Sequence, residues 1–294
     1  VSLLIDKKHF QTKIDNNQQG FLVLAEWLLK HKATKVTACM EATGTYGKAL
    51  TEFLISHNHD VSIVNPLCIS AFAKSKLSHH KTDKIDSMII AEYASKHDLT
   101  LYVPLDSNLL ELQDLYQCIQ NLKSQCTQVQ NYLENRKHLS DSVCQTYDNV
   151  LETLNQEIKN IRSKIDLVIE THKDFKQKVD NIETIPGVGK LTAVAILAET
   201  PDLSNFPSAR HLAAYAGLTP KHRSSGTSVR GRSSISKMGS GNLRKALYMP
   251  AIVAKKHNPM FIKFAQRLAS KGKPTKVIIA AVMRKILHIA FGVM

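Results

Sequence analysis

Residues 36–64 read VTACMEATGTYGKALTEFLISHNHDVSIV, and this stretch decides the fold of the first third of the chain. The apolar run over residues 36–40 predicts a short buried strand that leads directly into Glu41. Glycines at 44 and 47 indicate a turn, after which residues 48–57 place apolar side chains at helical spacing and residues 61–64 predict a second strand. Strand, helix and strand in this order favour a mostly parallel sheet covered by helices.

The flanking residues extend this pattern over positions 1–104. Residues 1–5 and 9–14 predict two short strands joined by a polar turn, and residues 18–31 predict a helix. A further helix is predicted at residues 81–97. We therefore expect the first 104 residues to form an α/β domain with a mixed sheet.

The pattern changes at residue 105. From there to residue 180, apolar side chains recur every three or four positions, and the stretch contains neither proline nor glycine. This predicts two long helices in a hairpin or coiled coil, which are either ordinary packing or an arm for dimerisation or for guiding nucleic acid. Residues 181–294 predict a second, mostly helical domain.

Composition points to a polyanionic partner. The 294 residues include 39 Lys and Arg against 25 Asp and Glu, which gives a net charge of +14 and favours nucleic acid over a membrane surface. No apolar run approaches the roughly 20 residues that a membrane-spanning helix needs. Five cysteines without C-x-x-C spacing indicate reduced thiols, so we expect a cytoplasmic protein.

Two aspartates mark the start of the helix predicted at residues 81–97. In KTDKIDSMII, residues 81–90, Asp83 and Asp86 are three positions apart, so their β-carbons lie roughly 5–6 Å apart on one helix face. Carboxylates this close repel each other, and Mg²⁺ relieves that repulsion. The alternative is that Asp83 is a helix-capping acid and Asp86 an ordinary surface residue.

A candidate phosphate-binding turn lies at residues 182–195, IETIPGVGKLTAVA. The sequence resembles a helix-hairpin-helix, in which Gly187 and Gly189 allow the turn and the amides up to Lys190 face an anion. Such a turn contacts the DNA backbone without reading sequence. The alternative is a turn that joins two helices and binds nothing.

Residues 219–241, TPKHRSSGTSVRGRSSISKMGSG, predict a long polar loop that is rich in serine and free of acids. A loop of this length inside a domain is usually functional or disordered. Guanidinium, ammonium and hydroxyl donors suit phosphate oxygens. The basic candidates for nucleic-acid contact in this loop are Lys221, Arg223, Arg230, Arg232 and Lys237.

Several segments together resemble one protein family. They are MEATGTYG (40–47), KTDKID (81–86), IPGVGKLTA (185–193), AGLTPKHRSSG (216–226), SVRGRSSISKMG (228–239) and LRKALYMPA (243–251). In this order they resemble the Piv/MooV-like DEDD transposases of bacterial and archaeal insertion sequences. The resemblance covers essentially the whole chain.

The resemblance implies a RuvC-like, RNase H-type domain at 1–104, a coiled-coil arm at 105–180 and a C-terminal transposase domain at 181–294. It implies that Glu41, Asp83 and Asp86 belong to an Asp-Glu-Asp-Asp tetrad that holds Mg²⁺ or Mn²⁺. The first tetrad aspartate belongs on a strand before residue 1, because residues 1–6, VSLLID, look like the following hairpin strand.

The resemblance also implies a serine nucleophile, which corresponds to Ser225, with Ser236 as the second candidate. Lys81 is a further candidate for nucleic-acid contact. The implied partners are double-stranded DNA, a guide or bridge RNA, and further copies of the chain in a dimer or tetramer. The serine and the acids would act on the same DNA linkage, at a composite site between domains or subunits.

Two other functions remain open at this point. One is a metal-dependent nuclease of the Holliday-junction type, which would hydrolyse DNA with water and form no covalent adduct. The other is a nucleic-acid-binding protein whose acidic residues are catalytically inactive because the first aspartate is absent.

Overall fold

The computed structural model describes residues 1–42, 44–76, 82–200, 203, 206–221, 224–225, 229–230 and 234–294, with the backbone alone at 45, 224–225 and 229–230. These residues divide into two units, Val1–Pro104 and Leu105–Met294. Within the described ranges, no helix is both long enough and apolar enough to cross a bilayer.

The first unit alternates strands and helices. In chain order its elements are β1 (Ser2–Ile5), β2 (Lys8–Gln11), α1 (Gln18–Lys30), β3 (Thr37–Glu41), a 3₁₀ turn (Gly44–Gly47), α2 (Lys48–Ser56), β4 (Asp60–Val64), α3 (Pro66–Ser75) and α4 (Asp83–Lys96). Its core is formed by α1, α2 and β4 through Phe21, Leu24, Leu28, Phe53, Leu54 and Val61.

The strands of this unit form two small sheets. β1 pairs with β2 in an antiparallel hairpin, whose turn is made by Asp6 and Lys7 with φ of +46° and +66°. Two consecutive residues with positive φ are typical of the tight turn that suits hairpin twist. β3 pairs with β4 in parallel, with Thr37 opposite Asp60. The single mixed sheet that we expected is therefore two separate two-stranded sheets within the described residues.

The second unit is mostly helical. Its elements are α5 (Ser107–Leu133), a 3₁₀ turn (Arg136–His138), α6 (Asp141–Thr171), α7 (Lys173–Glu183), α8 (Lys190–Glu199), α9 (Ala209–Tyr215), β5 (Pro220–Lys221), β6 (Ser224–Ser225), β7 (Val229–Arg230), β8 (Ser234–Ile235), α10 (Gly241–His257), α11 (Pro259–Ser270) and α12 (Thr275–Val293).

The long helices α5 and α6 pack against each other, as the heptad-like spacing predicted. They share one hydrophobic core with the C-terminal helices, which includes Leu112, Ile119, Ile165, Val194, Leu247 and Ile286. α5 and α6 are thus packed against the remaining helices along part of their length. The separate domain at residues 105–180 stays a prediction.

Candidate functional site

Glu41 lies at the carboxyl end of β3. The backbone pairing with β4 continues past it, because the Ala42 amide donates to the Val64 carbonyl oxygen at 3.0 Å. Cys39 is two positions earlier and therefore projects from the same face of the strand. Burial, and after it the Glu41 carboxylate, raise the pKa of the Cys39 thiol to about 11. Glu41 and Cys39 thus lie on one half-buried face of β3.

Asp83 and Asp86 lie in the first turn of α4, where the sequence placed them. Thr82 is the N-cap, and its hydroxyl oxygen accepts from the Ile85 amide at 3.3 Å. Asp83 is exposed, whereas Asp86 is half-buried. Because Thr82 performs the capping, Asp83 is left at the helix entrance with its carboxylate accessible. Lys81, one of the candidates for nucleic-acid contact, lies outside the described residues.

Side chains of β2 fix the direction of α4. The Gln11 amide nitrogen donates to the Lys84 carbonyl oxygen at 2.9 Å, and His9 Nε2 lies 3.6 Å from Glu92 Oε1. Glu92 also forms an ion pair with Lys76. Moving forward along β2 therefore means moving backward along α4, so the two elements are antiparallel and the aspartates lie near the end of β2.

One face of α4 is directed towards β3. α4 packs against β3 as well as against β1. The helix whose first turn carries Asp83 and Asp86 therefore lies beside the strand that ends at Glu41.

Carboxylate oxygens at these positions are the ligand type that Mg²⁺ and Mn²⁺ prefer. The donor chemistry of Glu41, Asp83 and Asp86 therefore fits a hard divalent cation. Among the residues that the structure describes, however, no three His, Cys, Asp or Glu side chains are grouped closely enough to hold a metal ion. β3 and α4 pack against each other, but the carboxylates of Glu41, Asp83 and Asp86 do not form one cluster in the described structure.

The turn between α7 and α8 has the predicted helix-hairpin-helix form. Gly187 has a φ of +92°, and a β-carbon added there would lie 2.9 Å from Cβ of Ala254 on α10. Close packing between helices therefore requires glycine at this position. Gly189 is the N-cap of α8, and a β-carbon there would meet open space. The accessible part of the turn is thus at Gly189, where the amides of α8 begin.

The side chain of Lys190 forms an exposed ion pair, and its contact with nucleic acid stays a prediction. Its Nζ lies 2.7 Å from Oδ1 of Asp166 on α6. Both side chains are substantially exposed, at 38% and 52%, and exposed ion pairs contribute only about 0–1 kcal/mol. A phosphate could therefore compete with Asp166 for Lys190 at little cost.

The stretch predicted as a polar loop contains short strands. β5 pairs with β8, with Pro220 opposite Ile235, and β6 pairs with β7, with Ser225 opposite Val229 and Ser224 opposite Arg230. We call residues 218–239 the serine hairpin. The loop prediction was wrong for these positions, because β-branched residues placed between the glycines allow short antiparallel ladders to form. Arg223 and Arg232 lie outside the described residues.

Backbone hydrogen bonds fix the root of the serine hairpin. The Ser236 amide donates to the Thr219 carbonyl oxygen at 2.8 Å, and the Ser240 amide donates to that of Tyr215 at 2.7 Å. Arg244 Nη1 donates to the Ala216 carbonyl oxygen at 2.9 Å. Ser236, the second candidate nucleophile, is thus part of the root, whereas Ser225 lies farther along the hairpin.

Two exposed cations remain near this hairpin. Lys221 is in β5, and Lys237 follows β8 with a φ of +55°. Both are exposed, and their contact with phosphate stays a prediction. Arg230 is in β7, where the structure describes only its backbone.

The sequence pattern did not reveal a cleft next to the hairpin root. It is lined by Gln113, Tyr116 and Gln117 of α5, by Glu199 at the end of α8, and by Tyr215 of α9. These residues are spread over about a hundred positions, and none belongs to a recognisable motif. Only the repeated polar side chains on the buried side of α5 could have suggested it.

Comparisons with known proteins cover both units. The family described as "Transposase IS116/IS110/IS902 family" matches residues 179–266, and a DEDD transposase family of the IS110 type matches residues 4–144. The pilin gene-inverting proteins of Moraxella bovis and Moraxella lacunata are each 39% identical over 95% of this chain and 86% of their own length. An uncharacterized 43.6 kDa protein of insertion element IS110 from Streptomyces coelicolor is 27% identical over 52% of this chain and 37% of its own.

Proposed function

Because this chain belongs to the IS110/IS116/IS902 family of transposases, we propose that it cuts and rejoins DNA with metal-binding carboxylates and a serine nucleophile. Membership makes it a transposase-type recombinase that acts on DNA. The proposal adds the residues that carry the chemistry. The observation that supports it is the packing of α4, whose first turn carries Asp83 and Asp86, against β3, which ends at Glu41.

Glu41, Asp83 and Asp86 are the proposed ligands of Mg²⁺ or Mn²⁺. A bound divalent cation would orient the scissile phosphate and stabilise the charge on its non-bridging oxygens. Accessible carboxylates in the first turn of α4 suit this role, because they can approach both a cation and a long, rigid DNA substrate.

Ser225 is the proposed nucleophile. Its Oγ attacks phosphorus and forms a phosphoserine ester, while the bond from phosphorus to the 3′ or 5′ oxygen of the DNA strand breaks. The serine proton passes to a base or to water, and the departing oxygen takes up a proton. Attack by a hydroxyl of a new strand end reverses these steps, restores the serine and joins the DNA without an external energy source.

Several groups are proposed to hold the nucleic acid. Lys221, Arg230 and Lys237 of the serine hairpin would contact phosphates, with Arg223 and Arg232 in the same stretch of sequence. The amides at Gly187 and Gly189 and the side chain of Lys190 would contact the DNA backbone at the start of α8. Charge-assisted contacts of this kind make binding depend steeply on salt concentration.

The proposed partners are double-stranded DNA at the element ends and target, a guide or bridge RNA, and further copies of the chain in a dimer or tetramer. The two Moraxella relatives are named for gene inversion. We therefore propose inversion of a DNA segment as a second outcome of the same cutting and rejoining chemistry. Analysis of product DNA by sequencing across the joints distinguishes inversion from insertion.

Trapping of a covalent adduct tests the nucleophile. The purified chain is incubated with Mg²⁺ and a supercoiled plasmid that carries its own gene with flanking DNA, and is then denatured and separated on a gel. We expect a DNA-linked protein band that disappears in Ser225→Ala and persists in the matched variant Ser236→Ala. DNA binding should be unchanged in both variants.

The other outcomes assign the chain to a different function. An adduct that persists in Ser225→Ala and disappears in Ser236→Ala would move the nucleophile to the hairpin root. Cleaved DNA without an adduct in the unmodified chain would indicate hydrolysis by water, as in a junction-type nuclease. Salt-sensitive binding with neither cleavage nor any Mg²⁺ dependence would indicate a non-catalytic binding protein.

A further inference from the structure

The cleft beside the root of the serine hairpin has a volume of about 340 Å³. That volume is at the lower end of the range of roughly 300–1,000 Å³ that small-molecule sites occupy, and it is large enough for a nucleoside. Tyr215, which lines it, also accepts the hydrogen bond from the Ser240 amide at 2.7 Å. A ligand in this cleft would therefore contact a residue that holds the hairpin root.

The cleft combines two carboxylates, Asp114 and Glu199, with the phenols of Tyr116 and Tyr215. Oε2 of Glu199 accepts from the Ser240 hydroxyl at 2.7 Å. Burial, and after it the Glu199 charge, raise the pKa of Tyr116 to about 12 and also raise that of Tyr215. Both tyrosines therefore stay uncharged at neutral pH and offer hydroxyl donors and aromatic faces. The Gln113 amide nitrogen donates to the Ala198 carbonyl oxygen at 2.6 Å, which fixes that side chain at the cleft wall.

A second, smaller pocket of about 140 Å³ adjoins the first, because Tyr116 and Gln117 line both. Its other walls are polar and carry hydrogen-bond donors from α5 and α10, namely Asn121, Ser124, Asn242 and Lys245. The two pockets thus differ in charge: the carboxylates of Asp114 and Glu199 line the first, and the ammonium group of Lys245 lines the second.

Lys245 of α10 lines the second pocket, and its charge acts on Lys123 of α5. Burial lowers the pKa of Lys123 on α5, and the charges of Arg162 on α6 and Lys245 on α10 lower it further. In the part of the chain that the structure describes, the ion pairs include none of these three side chains. Like charges that are brought together without a neutralising partner attract an anion, and a phosphate is the anion that a DNA-processing protein meets.

We propose that the two adjoining pockets bind one unpaired guanine nucleotide of a single strand, with the base against Glu199 and the phosphate near Lys245. A carboxylate presents two acceptor oxygens, and guanine is the only common base with two adjacent N–H donors on its Watson–Crick edge. The exposed ring of Tyr215 beside such a base supplies the stacking surface that single-strand-binding sites use. The proposal rests on the nucleic-acid function proposed above. It identifies one nucleotide of the strand that this function would bind.

The site also has a mechanical consequence. A guanine nucleotide in the cleft contacts the same Tyr215 that accepts from the Ser240 amide, and the same Glu199 that accepts from the Ser240 hydroxyl. Occupation of the cleft would therefore hold the root from which the hairpin with Ser225 extends. An unpaired base would in this way position the strand relative to the proposed nucleophile.

Fluorescence anisotropy on the full chain tests the proposal. The probes are a short labelled oligothymidylate and the same oligonucleotide with one central guanine, each without a complementary strand. We expect the guanine-containing probe to bind about 10-fold more tightly, in line with the value of a good bidentate base contact. Free 5′-GMP should compete for that difference better than 5′-AMP, unless the site requires a base within a strand.

Three variants assign the effect to residues. Glu199→Gln keeps an oxygen that can accept from Ser240 but presents only one acceptor to the base, so the preference for guanine should fall to about twofold or less. Lys245→Ala should weaken both probes equally, because a phosphate contact is independent of base. Lys256→Ala removes an equal charge from an exposed position of the same helix and should weaken both probes less than Lys245→Ala does.

Equal affinity of the two probes for the unmodified chain would overturn the proposal, as would a guanine preference that survives Glu199→Gln. Binding of the oligothymidylate provides the check that each variant is folded. If Glu199→Gln fails that check, a guanine preference lost in the presence of excess 5′-GMP and weak binding by Lys245→Ala still support the site. If the unmodified chain forms a covalent DNA adduct but shows no preference for guanine, this inference would be overturned and the proposed function would stand.

Discussion

Glu41, Asp83 and Asp86 lie on a parallel strand and a 14-residue helix, whereas Ser225 lies on a two-residue strand within a nested hairpin. The acidic residues are therefore positioned by packed elements: Ile89 of α4 is buried, and Gln11 and His9 of β2 hold the helix from outside. The serine depends instead on backbone hydrogen bonds at the hairpin root. We therefore expect substitutions of the acidic residues to lower the cleavage rate without a change in stability. Substitutions at the hairpin root should lower both stability and adduct formation.

The largest effect is expected from Asp86→Asn. An amide oxygen carries no full charge and cannot offset a divalent cation, so we expect DNA cleavage in Mg²⁺ to fall at least about 100-fold, beyond the cost of losing an outer-shell partner of a metal ligand. The thermal unfolding midpoint should change little, because the half-buried carboxylate would lose only the repulsion from its neighbours. Cleaved DNA and covalent adduct are measured on the same denaturing gel.

Asp98→Asn provides the matched control, because Asp98 is an exposed carboxylate of the same unit beyond the end of α4. It should cleave DNA at the unmodified rate. Cleavage by Asp86→Asn at a rate close to that of the control would remove Asp86 from the metal site. A loss that Mn²⁺ partly restores would strengthen the assignment, since the two cations differ in how strictly they require carboxylate ligands.

A smaller effect, on stability as well as on activity, is expected at the hairpin root. Gly239 has a φ of +126°, and a β-carbon there would lie 1.9 Å from the Tyr215 carbonyl oxygen, the acceptor of the Ser240 amide. Gly239→Ala should therefore break that hydrogen bond and cost about 1–3 kcal/mol of unfolding free energy. The adduct should decrease even at temperatures at which the protein remains folded.

Gly189→Ala separates this effect from a general cost of replacing glycine. A β-carbon at Gly189 meets nothing within 4 Å, and the residue has a φ of −102°. Its unfolding free energy should stay within about 0.5 kcal/mol of the unmodified chain. Equal stability of the two variants in urea titrations would show that the root tolerates displacement. The backbone hydrogen bonds at the root would then not be what positions the serine hairpin.

Much of the fold could be predicted because the local signals were strong. The sequence pattern placed the strand before Glu41, the helix that begins at Asp83 and the long helices α5 and α6. Helices α3 and α11 were not predicted. Both begin in the same way: an Asn side chain accepts from the amide two residues on, and Pro occupies the first helical position, with Asn65 before Pro66 and Asn258 before Pro259. An Asn-Pro pair is therefore a helix start at both places.

The candidate site was predictable only where its residues are close in sequence. Asp83 and Asp86 share a helix turn, so their spacing alone placed them together. The cleft with Glu199 could not be found in that way, because α5, α8 and α9 supply its walls and only packing brings them together. The ion pair between Lys190 and Asp166 could not be predicted either, because Asp166 is 24 positions away on α6. Such contacts depend on long-range packing, which cannot be predicted from residue spacing in a single sequence.

The smallest expected effect concerns the pH dependence of the second unit. Burial lowers the pKa of His288 on α12 below the ordinary value of 6.5, and the charges of Arg284, Arg210 and Lys285 lower it further. Its Nε2 is buried without a hydrogen-bond partner among the described residues. The unfolded chain therefore binds a proton more readily than the folded chain does. His288 contributes full stability above pH 6.5 and loses it as the pH falls towards the lower folded pKa.

Replacement of His288 by leucine should remove this dependence. Relative to the unmodified chain, His288→Leu should gain stability as the pH falls below 6.5, whereas the difference between the two should stay constant above it. Replacement of the exposed His257 of α10 by leucine is the matched control for the added apolar side chain. Urea midpoints that fall in parallel for His288→Leu and the unmodified chain would place the acid sensitivity elsewhere.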